Sequence, residues 1–177
     1  YYACFGHADF TVALGYKGNV IRRHATDFAA LSAADLRIDY SRRQVEYGAQ
    51  HGCEGAPWSM EGWTLDLVET GLHTNTGGRI RRLRHLLHRE RFFLTWGDGL
   101  STVDLDALLA FHKSHGKLVT LTAVRPPARF GHLELDGDRI AVFDEKPQTG
   151  EGWINGAFFV CEPGIFDYIA GDDTQFE

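Results

Sequence analysis

Phe92-Phe93-Leu94-Thr95-Trp96-Gly97-Asp98-Gly99 is a β-favouring apolar run that stops on Gly-Asp-Gly. A buried strand fits the run, and the glycines mark a sharp turn at its end. Asp98 is then left at the strand's carboxyl end, the edge of an open α/β sheet where ligands bind. Glycines on either side let a phosphate or a metal approach the backbone. One carboxylate there suits a hard cation such as Mg²⁺, which takes one or two protein carboxylates and fills its shell with substrate oxygens. Spacing alone equally permits an ordinary turn aspartate.

Upstream, Phe10-Thr11-Val12-Ala13-Leu14 reads as a strand that breaks at Gly15-Tyr16-Lys17-Gly18. Val20, Ile21, Ala25 and Phe28 then recur at helical spacing, with Asn19 as N-cap. This is the opening of a βαβ crossover, with Lys17 as a solvated turn lysine. Two short half-exposed strands follow, Leu36–Tyr40 and Gln44–Tyr47, and then a glycine-rich surface loop from Gly48 to Gly62. Thr64 to Thr70 alternates like a strand with one wet face. The polar loop Gly71 to Arg79 opens a helix with apolar Ile80, Leu83, Leu86 and Leu87. Its basic residues, Arg81, Arg82, Arg84, His85, His88 and Arg89, read as a solvated face rather than a nucleic-acid surface. Free N–H groups at that helix mouth, with Arg79 beside them, make a natural anion site.

Downstream, Asp104 caps a helix whose inner side carries Leu105, Leu108, Leu109 and Phe111-His112. His112 and His115 stand three apart, but no third ligand is evident and the pair reads as structural. Lys117 to Val124 is nearly continuous and β-branched, which predicts a central strand ended by Arg125-Pro126-Pro127. A hairpin follows, turning at Asp136-Gly137 and delivering Glu145-Lys146-Pro147. Trp153 to Val160 is a further strand with Asn155-Gly156 inside it, and glycine within a strand marks close approach by a ligand. Pro163 to Ala170 forms a short last helix.

The 177 residues predict one domain with a real core. The net charge of −6 gives no reason to expect nucleic acid or an anionic membrane as partner. Cys4, Cys53 and Cys161 lack metal spacing and read as reduced thiols of a cytoplasmic protein. No run approaches transmembrane length. The polar clusters at Thr74–Arg79, Gly97-Asp98-Gly99, Glu145-Lys146 and Asn155-Gly156 offer a metal-binding carboxylate, two cations and several approachable backbones. That set suits phosphoryl chemistry, in which positioning and charge neutralisation supply most of the catalysis.

Gly15-Tyr16-Lys17-Gly18, Thr76-Gly77-Gly78-Arg79, Gly97-Asp98-Gly99, Arg129-Phe130-Gly131, Phe143-Asp144-Glu145-Lys146-Pro147 and Ile154 to Val160 fall in the order found in the sugar nucleotidylyltransferases. The chain resembles that family over essentially its whole length. Val68-Glu69-Thr70-Gly71 and Leu121 to Gly131 are similar to its glucose-1-phosphate cytidylyltransferase branch. The resemblance implies a Rossmann-like α/β fold with a mixed, mostly parallel sheet flanked by helices and a small β-hairpin excursion. It implies Mg²⁺-dependent in-line transfer from CTP to α-D-glucose 1-phosphate, giving CDP-glucose and diphosphate for surface polysaccharide synthesis. By the same resemblance Asp98 holds Mg²⁺ and, with Lys146, forms the catalytic pair. Thr74, Arg79 and Gly97 face the nucleotide, while Gly131, Glu145, Lys146, Asn155 and Gly156 face the sugar phosphate.

The family's glycine-rich phosphate loop would lie upstream of Tyr1, and its second metal-binding aspartate beyond Glu177. The expectation is therefore a single nucleotidyltransferase domain over 1–177, truncated at both ends and inactive by itself, whose full-length form is a homo-oligomer. Its partners would be small molecules, with no nucleic acid or membrane. Two alternatives stand beside this: a nucleotide-sugar glycosyltransferase, and a non-catalytic nucleotide-sugar binding module. The first normally carries Asp-x-Asp at the strand end, where this chain has Asp98-Gly99-Leu100.

Overall fold

The computed structural model describes residues 1–32, 36–47, 62–125, 132–144 and 153–176. The Gly48–Gly62 loop up to residue 61, Pro126 to Gly131, and Glu145-Lys146-Pro147 lie outside the described residues. Two compact units are present, one of Tyr1–Leu83 with Ala170–Phe176, the other of Arg84–Ile169.

In the first unit, β1 (Asp9–Leu14) pairs in parallel with β4 (Thr64–Glu69), in register from Asp9↔Thr64 to Leu14↔Glu69. Parallel pairing requires a long crossover, and α1 (Gly18–Ser32) supplies its helix. This helix starts one residue before the expected cap, so Asn19 lies within the first turn. β2 (Leu36–Asp39) and β3 (Gln44–Tyr47) form the anticipated pair of short strands, antiparallel to each other. Lys17 is exposed, as a turn lysine should be, at a positive φ of 57°.

The predicted basic helix is broken in two, α2 (Thr76–Arg82) and α3 (Arg84–Leu87). Ile80 and Leu83 are buried, whereas Leu86 is 40% exposed, so the apolar stripe ends with the first piece. Arg81, Arg82, Arg84, His85, His88 and Arg89 are all exposed. Segment Ala170–Phe176 packs against α2. Gly77 and Gly78 make room for it: a Cβ on Gly78 would stand 2.6 Å from the Asp172 Cα.

In the second unit, β5 (Phe92–Thr95) and β6 (Val119–Val124) flank β9 (Ile154–Cys161), and both run antiparallel to it. β6 is therefore not the central strand; that place belongs to β9, which is buried from Ala157 to Cys161. Leu121 of β6 stays half-exposed. Burial also pushes the Cys161 thiol up to about 12, with the Glu162 carboxylate adding to the shift. Helix α4 (Leu105–His115) is capped as expected: Asp104 Oδ1 accepts from the Ala107 N–H at 2.9 Å, and Gly116 closes the helix in the left-handed region. Its inner face is Leu105 and His112, while Phe111 points outward, 61% exposed. The hairpin is β7 (His132–Asp136) and β8 (Arg139–Asp144), turning at Gly137 with φ 61°. The last helical segment is a 3₁₀ turn, Pro163–Tyr168. A parallel strand pair and the antiparallel sheets, interleaved with helices, make this an α/β fold. No helix among the described residues is long and apolar enough to cross a membrane.

The Gly78 contact is with backbone, which cannot rotate away. Gly78→Ala should cost about 1–3 kcal/mol in a urea titration, the usual range for forcing a methyl into a filled site. Gly171→Ala, whose Cβ meets nothing within 4 Å, is expected to stay within about 0.5 kcal/mol of the parent.

Candidate active site

β5 and β6 both run against β9, so their carboxyl ends point toward the end of the sheet where β9 starts. Thr95 pairs with Phe158, and Val124 with Ile154. Gly97-Asp98-Gly99 leaves the sheet at that edge, as the sequence predicts. Gly99 lies against β9, where a Cβ would be 3.7 Å from the Ala157 Cβ. The structure thus brings Gly97, Asp98, Asn155 and Gly156 to one end of one sheet. Asp98 is exposed, and no described cation is bonded to it.

The Asn155-Gly156 segment is a distortion of β9. Asn155 pairs with Ala123 and Phe159 with Leu121, so β9 carries two more residues than β6 across this interval. The surplus is taken up at Ala157, which adopts a positive φ of 65°. Asn155 Oδ1 stabilises the kink by accepting the Ala157 N–H at 2.8 Å. Gly156 must be small because a Cβ would lie 2.9 Å from the Thr122 carbonyl oxygen. Thr122 Oγ1, beside this bulge, is buried and has no partner among the described residues.

A Mg²⁺ ion fits Asp98 only in the way the chemistry of one carboxylate allows. Among the described residues no group of three or more His, Cys, Asp or Glu side chains could hold a metal. A cation at Asp98 would complete its shell with substrate oxygens.

Thr74 and Arg79 belong to the first unit. Arg79 Nη1 donates to the Leu14 carbonyl at 3.1 Å and to Thr70 Oγ1 at 2.8 Å, while Thr70 Oγ1 donates to the same carbonyl. Arg79 therefore ties together the carboxyl ends of β1 and β4. It passes over Gly15, where a Cβ would be 2.6 Å from Nη2. Thr74 is buried beside Gly71, at a cleft of about 330 Å³ that Arg82 and Asp172 also line. That cleft offers no spare positive charge, because Arg82 Nε donates to Asp172 Oδ1 at 3.0 Å.

The helix mouth differs from expectation. The Gly77 and Gly78 N–H groups donate to the Thr174 carbonyl at 2.9 and 3.3 Å, and Asn75 N–H donates to the Asp172 carbonyl. The donors that looked free for an anion are consumed by the chain itself. The two glycines admit a backbone segment at the place where the sequence predicts an anion.

Sequence reading did not find the network around His112. Lys117 N–H donates to His115 Nδ1, so that ring carries its proton on Nε2 and donates to Thr120 Oγ1 at 2.7 Å. Thr120 then donates to His112 Nδ1 at 2.7 Å, and His112 Nε2–H donates to Glu162 Oε1 at 3.1 Å. Arg91 Nε donates to the same oxygen at 2.6 Å. Both histidines are thereby engaged in a chain of side-chain hydrogen bonds that ties α4 to β6 and Glu162, a structural role. Gly131, Glu145 and Lys146 lie outside the described residues.

A nucleotidyl transferase family profile matches residues 42–176. The chain belongs to the nucleotidyl transferase family. It is 37% identical over 178 aligned residues to glucose-1-phosphate cytidylyltransferase of Salmonella typhi, covering 99% of this chain and 65% of that protein. Mannose-1-phosphate guanyltransferase beta-B of Xenopus laevis is 31% identical, but over 58% of the chain and 30% of the relative. Among solved structures, HddC from Yersinia pseudotuberculosis shares the fold, with a TM-score of 0.59 at 18% identity, covering 97% of this chain and 64% of that one. The chain thus spans 65% of the length of the cytidylyltransferase it matches.

Burial disfavours the charged form of Glu162, but hydrogen bonds from Arg91 and His112 outweigh it and hold the carboxyl below the usual range. A carboxylate lowered on folding adds stability above its unfolded pKa and loses it as pH falls through the folded value. Glu162→Gln should therefore cost about 1–2 kcal/mol near pH 7, the worth of charge-assisted bonds. Urea titrations at decreasing pH should show the gap between variant and parent closing below about pH 4, where the unfolded carboxyl protonates.

Proposed function

We propose that this chain forms most of the catalytic domain of a glucose-1-phosphate cytidylyltransferase. The observation that carries this reading is the meeting of Gly97-Asp98-Gly99 with Asn155-Gly156-Ala157 at one sheet edge, in a nucleotidyl transferase chain similar to that enzyme over 99% of its length. A phosphate oxygen of glucose 1-phosphate attacks the α-phosphorus of CTP, the bond to the β-phosphate breaks in line, and diphosphate leaves. Asp98 holds Mg²⁺, which when bound supplies charge neutralisation across the phosphates. Thr74, Arg79 and Gly97 serve the nucleotide. For Arg79 this role is indirect: it fixes the edge of β1 and β4 that carries the Gly15–Lys17 turn. Lys146 clamps the sugar's phosphate, Glu145 its hydroxyls, and Gly131, Asn155 and Gly156 shape the sugar pocket. The whole protein works in the cytoplasm as a homo-oligomer, with CDP-glucose feeding surface polysaccharide synthesis.

A panel of nucleoside triphosphates against sugar phosphates, followed by diphosphate release from the complete gene product, tests the reading. CTP with glucose 1-phosphate should be the fastest pair, and a clear preference for another base or sugar would overturn it. In the same protein Asp98→Asn should reduce turnover about a hundredfold or more, since a metal's charge stabilisation is worth several kcal/mol. Lys146→Ala should raise KM for glucose 1-phosphate far more than for CTP.

A further inference from the structure

The edge that carries Asn155 also holds two side chains without an assigned role. The Arg125 guanidinium carbon sits 4.7 Å from the Trp153 ring centroid. Trp153 is 64% exposed, and Arg125 is exposed as well. The ladder pairs Ala123 with Asn155 and Val124 with Ile154. Side chains alternate along strands, so Ala123, Arg125, Trp153 and Asn155 share one face of the sheet. Gly156 belongs to the other face, where a Cβ would be 3.0 Å from Val124 Cγ1.

The hydrogen-bonding character of that face is one-sided. Asn155 Oδ1 is occupied by the Ala157 N–H, which leaves its amide NH₂ without an acceptor among the described residues. Arg125 has no described carboxylate partner, and a guanidinium carries five donors and no acceptor. The indole N–H of Trp153 is a third donor. Such a face calls for an anion rich in acceptors. The contact with the indole face uses no N–H donor of the guanidinium and restrains the side chain, so less entropy is lost when an anion binds.

We propose that Arg125, positioned by Trp153, binds the phosphoryl group of the sugar phosphate beside the Asn155 amide, as a cation additional to Lys146. This rests on the reading of the β9 edge as the sugar-phosphate side. Arg125 touches the substrate; Trp153 acts through Arg125.

Calorimetric titration of the complete gene product with glucose 1-phosphate, glucose and CTP tests it. Arg125→Gln should weaken glucose 1-phosphate about tenfold, the equivalent of about 1.4 kcal/mol for a charged pair. Its affinities for glucose and CTP should stay within about twofold, and the salt dependence of glucose 1-phosphate binding should become shallower. Trp153→Ala should weaken glucose 1-phosphate about three- to fivefold, Trp153→Phe should restore it, and Trp153→Ala should add nothing in the Arg125→Gln background, as expected for residues acting as one unit. Far-ultraviolet circular dichroism confirms that each variant is folded. Unchanged affinity in Arg125→Gln, with Lys146→Ala weakened, overturns this proposal alone. Equal losses for CTP and glucose 1-phosphate overturn it as well. A parent protein that binds CTP but no sugar phosphate overturns both this proposal and the assignment of the edge.

Discussion

A strand bonded on both sides dictates most of the second unit. β9 is buried from Ala157 to Cys161, and backbone amides taken out of water must find partners along both edges. β5 and β6 supply them, each antiparallel to β9 and therefore parallel to one another. The ends of two strands and the beginning of the third must then arrive at the same rim. Asp98, Arg125, Trp153 and Asn155 all lie toward that rim because of that arrangement, although the chain separates the first from the last by more than a quarter of its length.

The rim departs from regular geometry, and the departures are linked. β9 is longer than β6 across the interval, Ala157 takes up the excess in a left-handed conformation that alanine rarely adopts, and Asn155 holds the kink by its own side chain. Backbone held in a sparsely populated region persists where its surroundings over-determine it, and such positions cluster where ligands bind. In the first unit Arg79 plays a comparable part at the ends of β1 and β4, using a side chain where the second unit uses a strand.

What the sequence revealed was mostly local. The run from Phe92 to Gly99 placed Asp98 beyond the end of a strand, Asp104 marked a helix start, and Asp136-Gly137 marked a hairpin turn, because each signal lies within a few residues of its effect. Features set by distant segments were not legible. The amino end of α2 is closed by residues about a hundred positions later, and no local pattern around Gly77 distinguishes a ligand from another stretch of backbone. Strand order was misread for the same reason: Val119–Val124 has the composition of a central strand, yet the burial of β9 decided which strand took that place. Phe111 looked like core from its spacing, but α4 is only half covered and turns that ring outward.

The deep placement of Cys161 has a practical corollary. A thiol held near pKa 12 is almost wholly protonated at neutral pH, and the thiolate is the form that alkylating reagents attack. Cys4 is exposed, so a maleimide or iodoacetamide probe will mark it before Cys161 in the native molecule. Labelling at Cys161 requires β9 to leave its neighbours, which gives the central strand an intrinsic chemical clock for opening.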